Sequence, residues 1–284
     1  MQADAETTQN TEQGTRFEPN TVSGTLIVAI VLCLICSLVV STAAVTLKPL
    51  QEKNQRNRMR RNVLAAAGLW KDGMTDAEME KTFESIETVM VNLQTDVEGA
   101  PEAGSINEEV DIATYDARKA AKDPAESITL STVNDPAGIA RRENVAPAYL
   151  IRNDQGQLET IVLPIYGKGL WSTLYGFLAL ENDGRTVKGI TYYQHGETPG
   201  LGGEVDNPSW KAQWPGKIAV NESGQPILDV TKPGAAASES EVDGLSGATI
   251  TSNGVENMVR FWLGPYGFGP FLEQLRESGQ LAAQ

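Results

Sequence analysis

Asp243-Gly244-Leu245-Ser246-Gly247-Ala248-Thr249-Ile250-Thr251 is the stretch on which the reading of this chain turns. Small side chains and hydroxyls are concentrated there, immediately before residues with helical spacing, so another group can approach the backbone closely. Asn253 followed by Glu256 reads as a capping box, and Val255, Met258, Val259 and Trp262 then form an apolar helical stripe. The hydroxyls therefore fall at a helix N-terminus. Unpaired N–H groups and partial positive charge at such an end suit an anion such as phosphate. The same residues also fit a Gly-bearing turn that does no more than cap a core helix.

Upstream, two more Gly-rich loops interrupt strand-like segments: Tyr166-Gly167-Lys168-Gly169-Leu170-Trp171 and His195-Gly196-Glu197-Thr198-Pro199-Gly200-Leu201-Gly202-Gly203. Loops between strands can converge at one end of a sheet. Together the three would offer close backbone approach, the indole face of Trp171, an aliphatic contact at Leu201 and polar atoms from Glu197 and Thr198. That inventory suits a flat, partly apolar heterocycle carrying a phosphate. A hydrolase triad built on His195 and Ser246 is disfavoured, because the Gly-x-Ser-x-Gly elbow is absent. A histidine satisfied within its own loop is the simpler reading.

The flanking pattern is α+β. Ala148–Arg152 and Leu158–Ile165 read as a hairpin around Asn153-Asp154-Gln155-Gly156, and Thr173–Leu180 with Val187–Gln194 as another around Asn182-Asp183-Gly184. Ile218–Val220 and Ile227–Val230 suggest a third pair, and Val89, Val91 and Leu93 alternate as a strand. Thr75 with Glu78 forms a capping box ahead of Met79, Phe83 and Ile86, and Tyr115–Lys122 reads as a short helix after a Gly/Pro/acid-rich loop at Glu98–Glu109. The expectation is a largely antiparallel sheet flanked by helices, in one soluble domain over residues 73–284.

Before it come a polar tail expected to be disordered (1–20), an uncharged, largely aliphatic run expected to span a membrane once (21–47) and a basic juxtamembrane helix (48–72). A cleaved signal peptide is the alternative for the apolar run, since Ser41-Thr42-Ala43 resembles a cleavage site; the acidic tail and the length of the run weigh against it. Thr25, Ala29, Cys33, Ser37 and Ser41 make a small-residue stripe open to a partner helix, while the absence of ionisable side chains gives the span no proton or ion relay. Lys48, Lys53, Arg56, Arg58, Arg60 and Arg61 follow it, which on the positive-inside tendency points the C-terminal part to the cytoplasm.

Composition closes several routes. The net charge of −14, with bases concentrated at 48–71, leaves the remainder strongly acidic and sets nucleic-acid binding aside. Both cysteines, Cys33 and Cys36, sit in the apolar run and His195 is the single histidine. A soluble zinc site, an iron–sulfur centre ligated by this chain alone, a disulfide framework and a catalytic thiol therefore lack ligands. A redox role would need a cofactor that requires no cysteine.

The run Asp243–Thr249 resembles the flavinylation motif of the FMN-binding domain family, in which the last threonine of Ser-Gly-Ala-Thr is esterified to the FMN phosphate. The Glu197–Gly202 loop, the Lys168–Ser172 loop and the single N-terminal span are similar to the same family, so the likeness runs from Thr21 to near the C-terminus. The layout is closest to the flavin subunit of sodium-translocating NADH:quinone reductases, with the Rnf-type counterpart the near rival. The resemblance implies covalent FMN on Thr249, in a pocket to which Ser246, Gly247 and Ala248 belong. It also implies isoalloxazine or ribityl contacts from Trp171, Glu197, Thr198 and Leu201, with Lys168 and Thr251 as further candidates. It implies attachment by a separate flavin transferase, and electron relay from NADH by way of flavin and iron–sulfur partner subunits toward ubiquinone with sodium export. No catalytic residue, no metal and no independent NADH oxidation are expected. The family topology puts the FMN domain in the periplasm, against the basic cluster. A membrane-anchored extracytoplasmic binding module without flavin is the competing class.

Overall fold

The computed structural model describes residues 21–95 and 99–282. The expected tail at 1–20 and the first residue of the acidic loop, Glu98, lie outside them. The chain divides into two compact units, the first ending at Gln55 and the second beginning at Arg56.

In the first unit the apolar run lies on helix α1 (Val22–Ala66), the one helix among the described residues that is long and apolar enough to cross a bilayer. Leu26, Ile30, Leu34 and Leu38 are exposed along it, while the hydroxyls of Thr42 and Thr46 donate to the carbonyls of Leu38 and Thr42 at 2.7 and 2.9 Å. Those bonds pair the two threonine hydroxyls within the helix itself. The sequence assigned residues 21–47 to the span and 48–72 to a separate juxtamembrane helix. The backbone instead stays helical through Pro49, which forfeits one ladder bond without ending the helix.

The second unit includes the last turns of α1, so the boundary expected at 72/73 falls inside it. Helix α2 (Asp76–Glu84) starts with the reciprocal Thr75–Glu78 box read from the sequence. Strand β1 (Glu87–Asn92), the short helix α3 (Ala117–Ala120) and the two-stranded ribbon of β2 (Ser127–Thr129) and β3 (Arg141–Glu143) follow. Then come β4 (Val145–Arg152), β5 (Leu158–Lys168), β6 (Thr173–Glu181) and β7 (Val187–Gln194), and both expected hairpins form around their expected turns. These strands and β1 make one antiparallel sheet in the order β1-β4-β5-β6-β7.

Alternation along the strands gives the sheet two buried faces. Tyr149, Ile151, Val162, Phe177 and Ala179 point to one face and pack with Val63, Leu64 and Ala66 at the end of α1, with Ala67 just beyond it and with Met79 of α2. Gly189 on β7 makes that contact close: a Cβ there would lie 2.6 Å from the Ala66 carbonyl oxygen. Ala148, Leu150, Ile161, Leu163 and Leu178 face the opposite way, into a larger core with the later helices. The fold is therefore α+β, a helix-covered antiparallel sheet preceded by the apolar helix.

Beyond β7 lie a 3-10 turn (Gly202–Asp206), helix α4 (Pro208–Lys211), strands β8 (Asp229–Thr231) and β9 (Glu241–Asp243), and helices α5 (Thr249–Leu263) and α6 (Gly269–Glu277). Two sequence readings need correction here. Residues 218–220 and 226–227 meet only through a tight turn and an isolated bridge, because the strand after them is drawn into parallel pairing with β9. Helix α5 begins at Thr249, so Asn253 is an exposed residue inside it rather than a cap. Glu256 pairs with Arg260 one turn on at 3.2 Å and accepts from the Val230 N–H at 3.0 Å, a contact 26 residues away that the local sequence does not show.

Candidate functional site

The apolar stripe of α5 decides where the site falls. Val255, Met258, Val259 and Trp262 are fully buried against the sheet, which fixes the helix and brings its N-terminus to the end of β5. Two glycines set the spacing. A Cβ on Gly254 of α5 would lie 2.3 Å from the Lys168 carbonyl oxygen, and one on Gly167 would lie 2.7 Å from Met258 Cβ. Helix and loop touch backbone to backbone.

Glu197 joins the pieces. Its side chain is buried, and its carboxylate accepts from the N–H groups of Leu170 (3.3 Å), Trp171 (3.0 Å) and Ser172 (3.0 Å), from the Ser172 hydroxyl (3.2 Å) and from the Thr251 hydroxyl (2.7 Å). One residue thus ties the 166–172 loop, the 195–203 loop and the first turn of α5 together. Burial alone would raise its carboxyl, but the Thr251 hydroxyl and the three backbone donors outweigh that and hold it below the ordinary value. Gly169 and Gly202 make room, since a Cβ on either would lie 2.7 Å from a Glu197 oxygen.

His195 is satisfied inside its loop, as its sequence context suggested. Its Nε2 bonds Asp206 at 2.9 Å and its Nδ1 accepts from the Glu197 N–H at 3.3 Å. The Asp206 bond raises the imidazole pKa above the usual histidine value, outweighing the desolvation that would lower it. Ser246 is exposed and does not take part in that pairing, so no triad assembles.

The start of α5 has an unusual chemistry. Its N-cap is Ala248, no side chain caps it, and its first bond runs from the Ser252 N–H to the Ala248 carbonyl at 3.0 Å. A Ser, Thr, Asp or Asn cap is worth ~1 kcal/mol, which this helix forgoes. The turn before it is held in other ways. Gly247 adopts φ 71°, Ser252 Oγ accepts from the Leu245 N–H at 2.9 Å, and a Cβ on Gly244 would lie 2.4 Å from the Thr231 carbonyl oxygen. Trp210 Nε1 donates to the Asp243 carbonyl at 2.7 Å, fixing the backbone as it runs into the turn.

The sequence-derived residues fall into three groups. Thr249, Ser246, Gly247, Thr198, Leu201, Trp171 and Lys168 are exposed at the site surface. Ala248 is buried beneath the turn, and Glu197 and Thr251 are buried and bonded to each other. Leu201 lies over the motif, with its Cδ2 3.2 Å from the position of a Cβ on Gly247. Leu170, Trp171, Leu201 and Ile250 are large apolar side chains left exposed on the two loops and the first turn of α5, Trp171 at 69% exposure. Sequence reasoning missed Ser252, Asp206 and Trp210, whose roles depend on partners remote in the chain.

Comparison with known proteins agrees with this geometry. The FMN-binding domain family model matches residues 169–264, from the 166–172 loop to the end of α5. NqrC, the C component of the Na(+)-translocating NADH-quinone reductase, from Yersinia pestis is 48% identical over 260 residues, covering 91% of this chain and 94% of that one. Its counterpart from Pseudomonas aeruginosa is 48% identical over 258 residues, covering 89% and 95%. The chain belongs to the NqrC family of the Na(+)-translocating NADH-quinone reductases. Among solved members, Shewanella oneidensis NqrC superposes with a TM-score of 0.71 at 36% identity, covering 79% of this chain and 99% of that structure. The corresponding protein from Parabacteroides distasonis gives 0.59 at 28% identity, covering 80% and 96%. As in that family, the chain carries an FMN-binding domain and is one component of a larger reductase complex.

The residues fit a flavin mononucleotide. An uncapped helix end offers N–H groups to a phosphate, and the small side chains before it leave the Thr249 hydroxyl accessible. The exposed indole and aliphatic side chains offer an apolar surface to the ring system.

Proposed function

We propose that this chain is the electron-transfer subunit of a sodium-translocating NADH:quinone reductase, holding FMN through a phosphoester on Thr249. The observation that carries the proposal is the position of that hydroxyl: exposed, on the first residue of a 15-residue helix that no side chain caps. A phosphate on Thr249 would lie beside the unpaired N–H groups of that first turn. Bound there, the flavin supplies reversible redox chemistry. The chain's own residues tether it, set its surroundings and leave an edge open for transfer. Glu197 and Ser252 keep the three loops in register, while Trp171 and Leu201 offer the ring an apolar bed. Thr198, Lys168 and Ser246 present polar atoms at the rim.

Electrons reach this site from NADH through flavin and iron–sulfur partner subunits and leave toward ubiquinone, coupled to sodium export. The match of residues 169–264 to the FMN-binding domain family supports a flavin as its own carrier. The helix Val22–Ala66 anchors the subunit, its Thr25–Ser41 small-residue stripe packs against a partner, and the FMN domain faces the periplasm, where a flavin transferase loads it.

The test is a denaturing gel of protein from its native host, viewed under ultraviolet light. A fluorescent band in wild type that is lost in Thr249→Ala is expected, and the tryptic peptide carrying Thr249 should be heavier by one FMN less water. A dark wild-type band from cells that contain the transferase would sink the reading.

A further inference from the structure

Near the C-terminal end of α5, away from Thr249 at its start, the fold builds an oxidisable pair of rings. Tyr166 on β5 is enclosed by Trp262 of α5, ring centroids 4.9 Å apart, and by Tyr175 of β6, stacked at 5.5 Å. Trp262 is fully buried and its Nε1 donates to the Tyr166 carbonyl at 2.7 Å, so the two rings keep a fixed contact. The Tyr166 hydroxyl donates to Glu143 Oε2 at 2.6 Å, and Glu143 is itself buried. No other tyrosine hydroxyl among the described residues donates to a carboxylate in this way. Tyr115 donates to the Val145 carbonyl, Tyr266 accepts from Asn134, and the Tyr192 hydroxyl is buried without a partner.

Removing an electron from a tyrosine makes its hydroxyl strongly acidic, so oxidation is easy only where a base stands ready for the proton. We propose that Tyr166 is a redox-active tyrosine with Glu143 as its proton acceptor, a sink for oxidising equivalents that enter the core at Trp262. An oxidant of the reactive-oxygen radical class takes one electron from the Trp262 indole. Trp262 is refilled by one electron from Tyr166, and the Tyr166 O–H bond breaks with its proton passing to Glu143 Oε2. The products are a neutral phenoxyl radical, a carboxylic acid and a restored tryptophan, and the charge on the Tyr166–Glu143 pair rises by the one unit that the oxidant takes away.

Two features keep the oxidising equivalent at Tyr166. The Arg118 guanidinium carbon lies 3.7 Å from the Tyr175 ring centroid and 5.2 Å from that of Tyr193, and a cation over a ring opposes loss of an electron from it. Burial pushes the Glu143 carboxyl up to about 7, against the pull of the Tyr166 hydroxyl and of buried Arg142, so it is a stronger base than an exposed glutamate. Arg142 donates to the carbonyls of Glu143, Gln94 and Tyr266 and so holds its charge beside the pair. Tyr115 and Tyr193 are the remaining titratable groups that feel Glu143.

The test uses the full chain in detergent at pH 8, a light-driven ruthenium polypyridyl oxidant with a cobalt(III) ammine as terminal acceptor, and electron paramagnetic resonance of the frozen product. A tyrosyl signal is expected that falls at least five-fold in Tyr166→Phe and in Glu143→Gln and is unchanged in Tyr175→Phe. 2,3-Difluorotyrosine placed at position 166 alone should add fluorine hyperfine splitting to the signal, a readout that requires no loss of packing. An undiminished signal in Tyr166→Phe, or no fluorine splitting, would overturn the sink; an undiminished signal in Glu143→Gln would overturn the proton acceptor.

Discussion

Glu197 carries opposite consequences to its neighbour His195, although they stand two positions apart. Its folded-state pKa lies below the ordinary value of 4.5, so its contribution to stability is present above pH 4.5 and is lost as the pH falls through the folded value. Glu197→Gln is expected to cost about 2 kcal/mol at pH 7, as for a buried charge-assisted network, and to flatten the acid limb of a melting-temperature profile below pH 4.5. His195 titrates above its ordinary 6.5, so its bond to Asp206 stabilises fully below pH 6.5 and weakens as the pH rises through the folded value. His195→Gln should remove that alkaline decline and leave the acid limb unchanged. A chemically neutral test of the tether is Thr249→Ser, which keeps a hydroxyl at the uncapped helix end. It should retain some attached flavin by in-gel fluorescence where Thr249→Ala retains none.

At the scale of an element, α5 is the piece that brings the loops to one place, and Gly254 shows how. Glycine inside a helix costs roughly 1 kcal/mol against alanine, so replacement should ordinarily stabilise. Here an added Cβ would meet the Lys168 carbonyl oxygen at 2.3 Å, a backbone atom that cannot rotate away. Gly254→Ala is therefore expected to destabilise by roughly 1–3 kcal/mol, the cost of overpacking, and to lower flavin content by moving the 166–172 loop off the helix. Chemical denaturation of the purified variant measures the first and absorbance of the attached flavin the second. The misplaced N-terminus of this helix belongs to the same scale. Asn253 and Glu256 have the composition of a capping box, but buried Ser252 and the pairing of Glu256 with Val230 and Arg260 pull the start back to Thr249.

For the molecule as a whole, the unit from Arg56 onward contains both faces of the core. A chain truncated to begin at Arg56 is expected to fold with a cooperative melt. One beginning at Gly73, the boundary read from the sequence, loses the buried side chains of Val63, Leu64, Ala66 and Ala67 from one face of the sheet. Each large core side chain removed costs roughly 2–5 kcal/mol, so that shorter chain should be mostly unfolded or aggregated by circular dichroism and gel filtration. A reporter enzyme fused after Arg61 tests the orientation: activity confined to the periplasm is expected, and activity confined to the cytoplasm would favour the basic cluster over the family topology.

The amino-acid order alone determined the hairpins, the apolar helix and the buried stripe of α5, because each is written in contacts between near neighbours and in periodicities of about 2 or 3.6. It also marked Thr249, since Ser-Gly-Ala-Thr is a local motif. The end of α1 as a layer of the core, the parallel β8–β9 pair and the true start of α5 came only with the tertiary structure. So did Glu197 as the tie among three loops: its donors, Leu170 to Ser172 and Thr251, stand 25 to 54 residues away, and no local pattern records which distant N–H groups will meet one buried carboxylate.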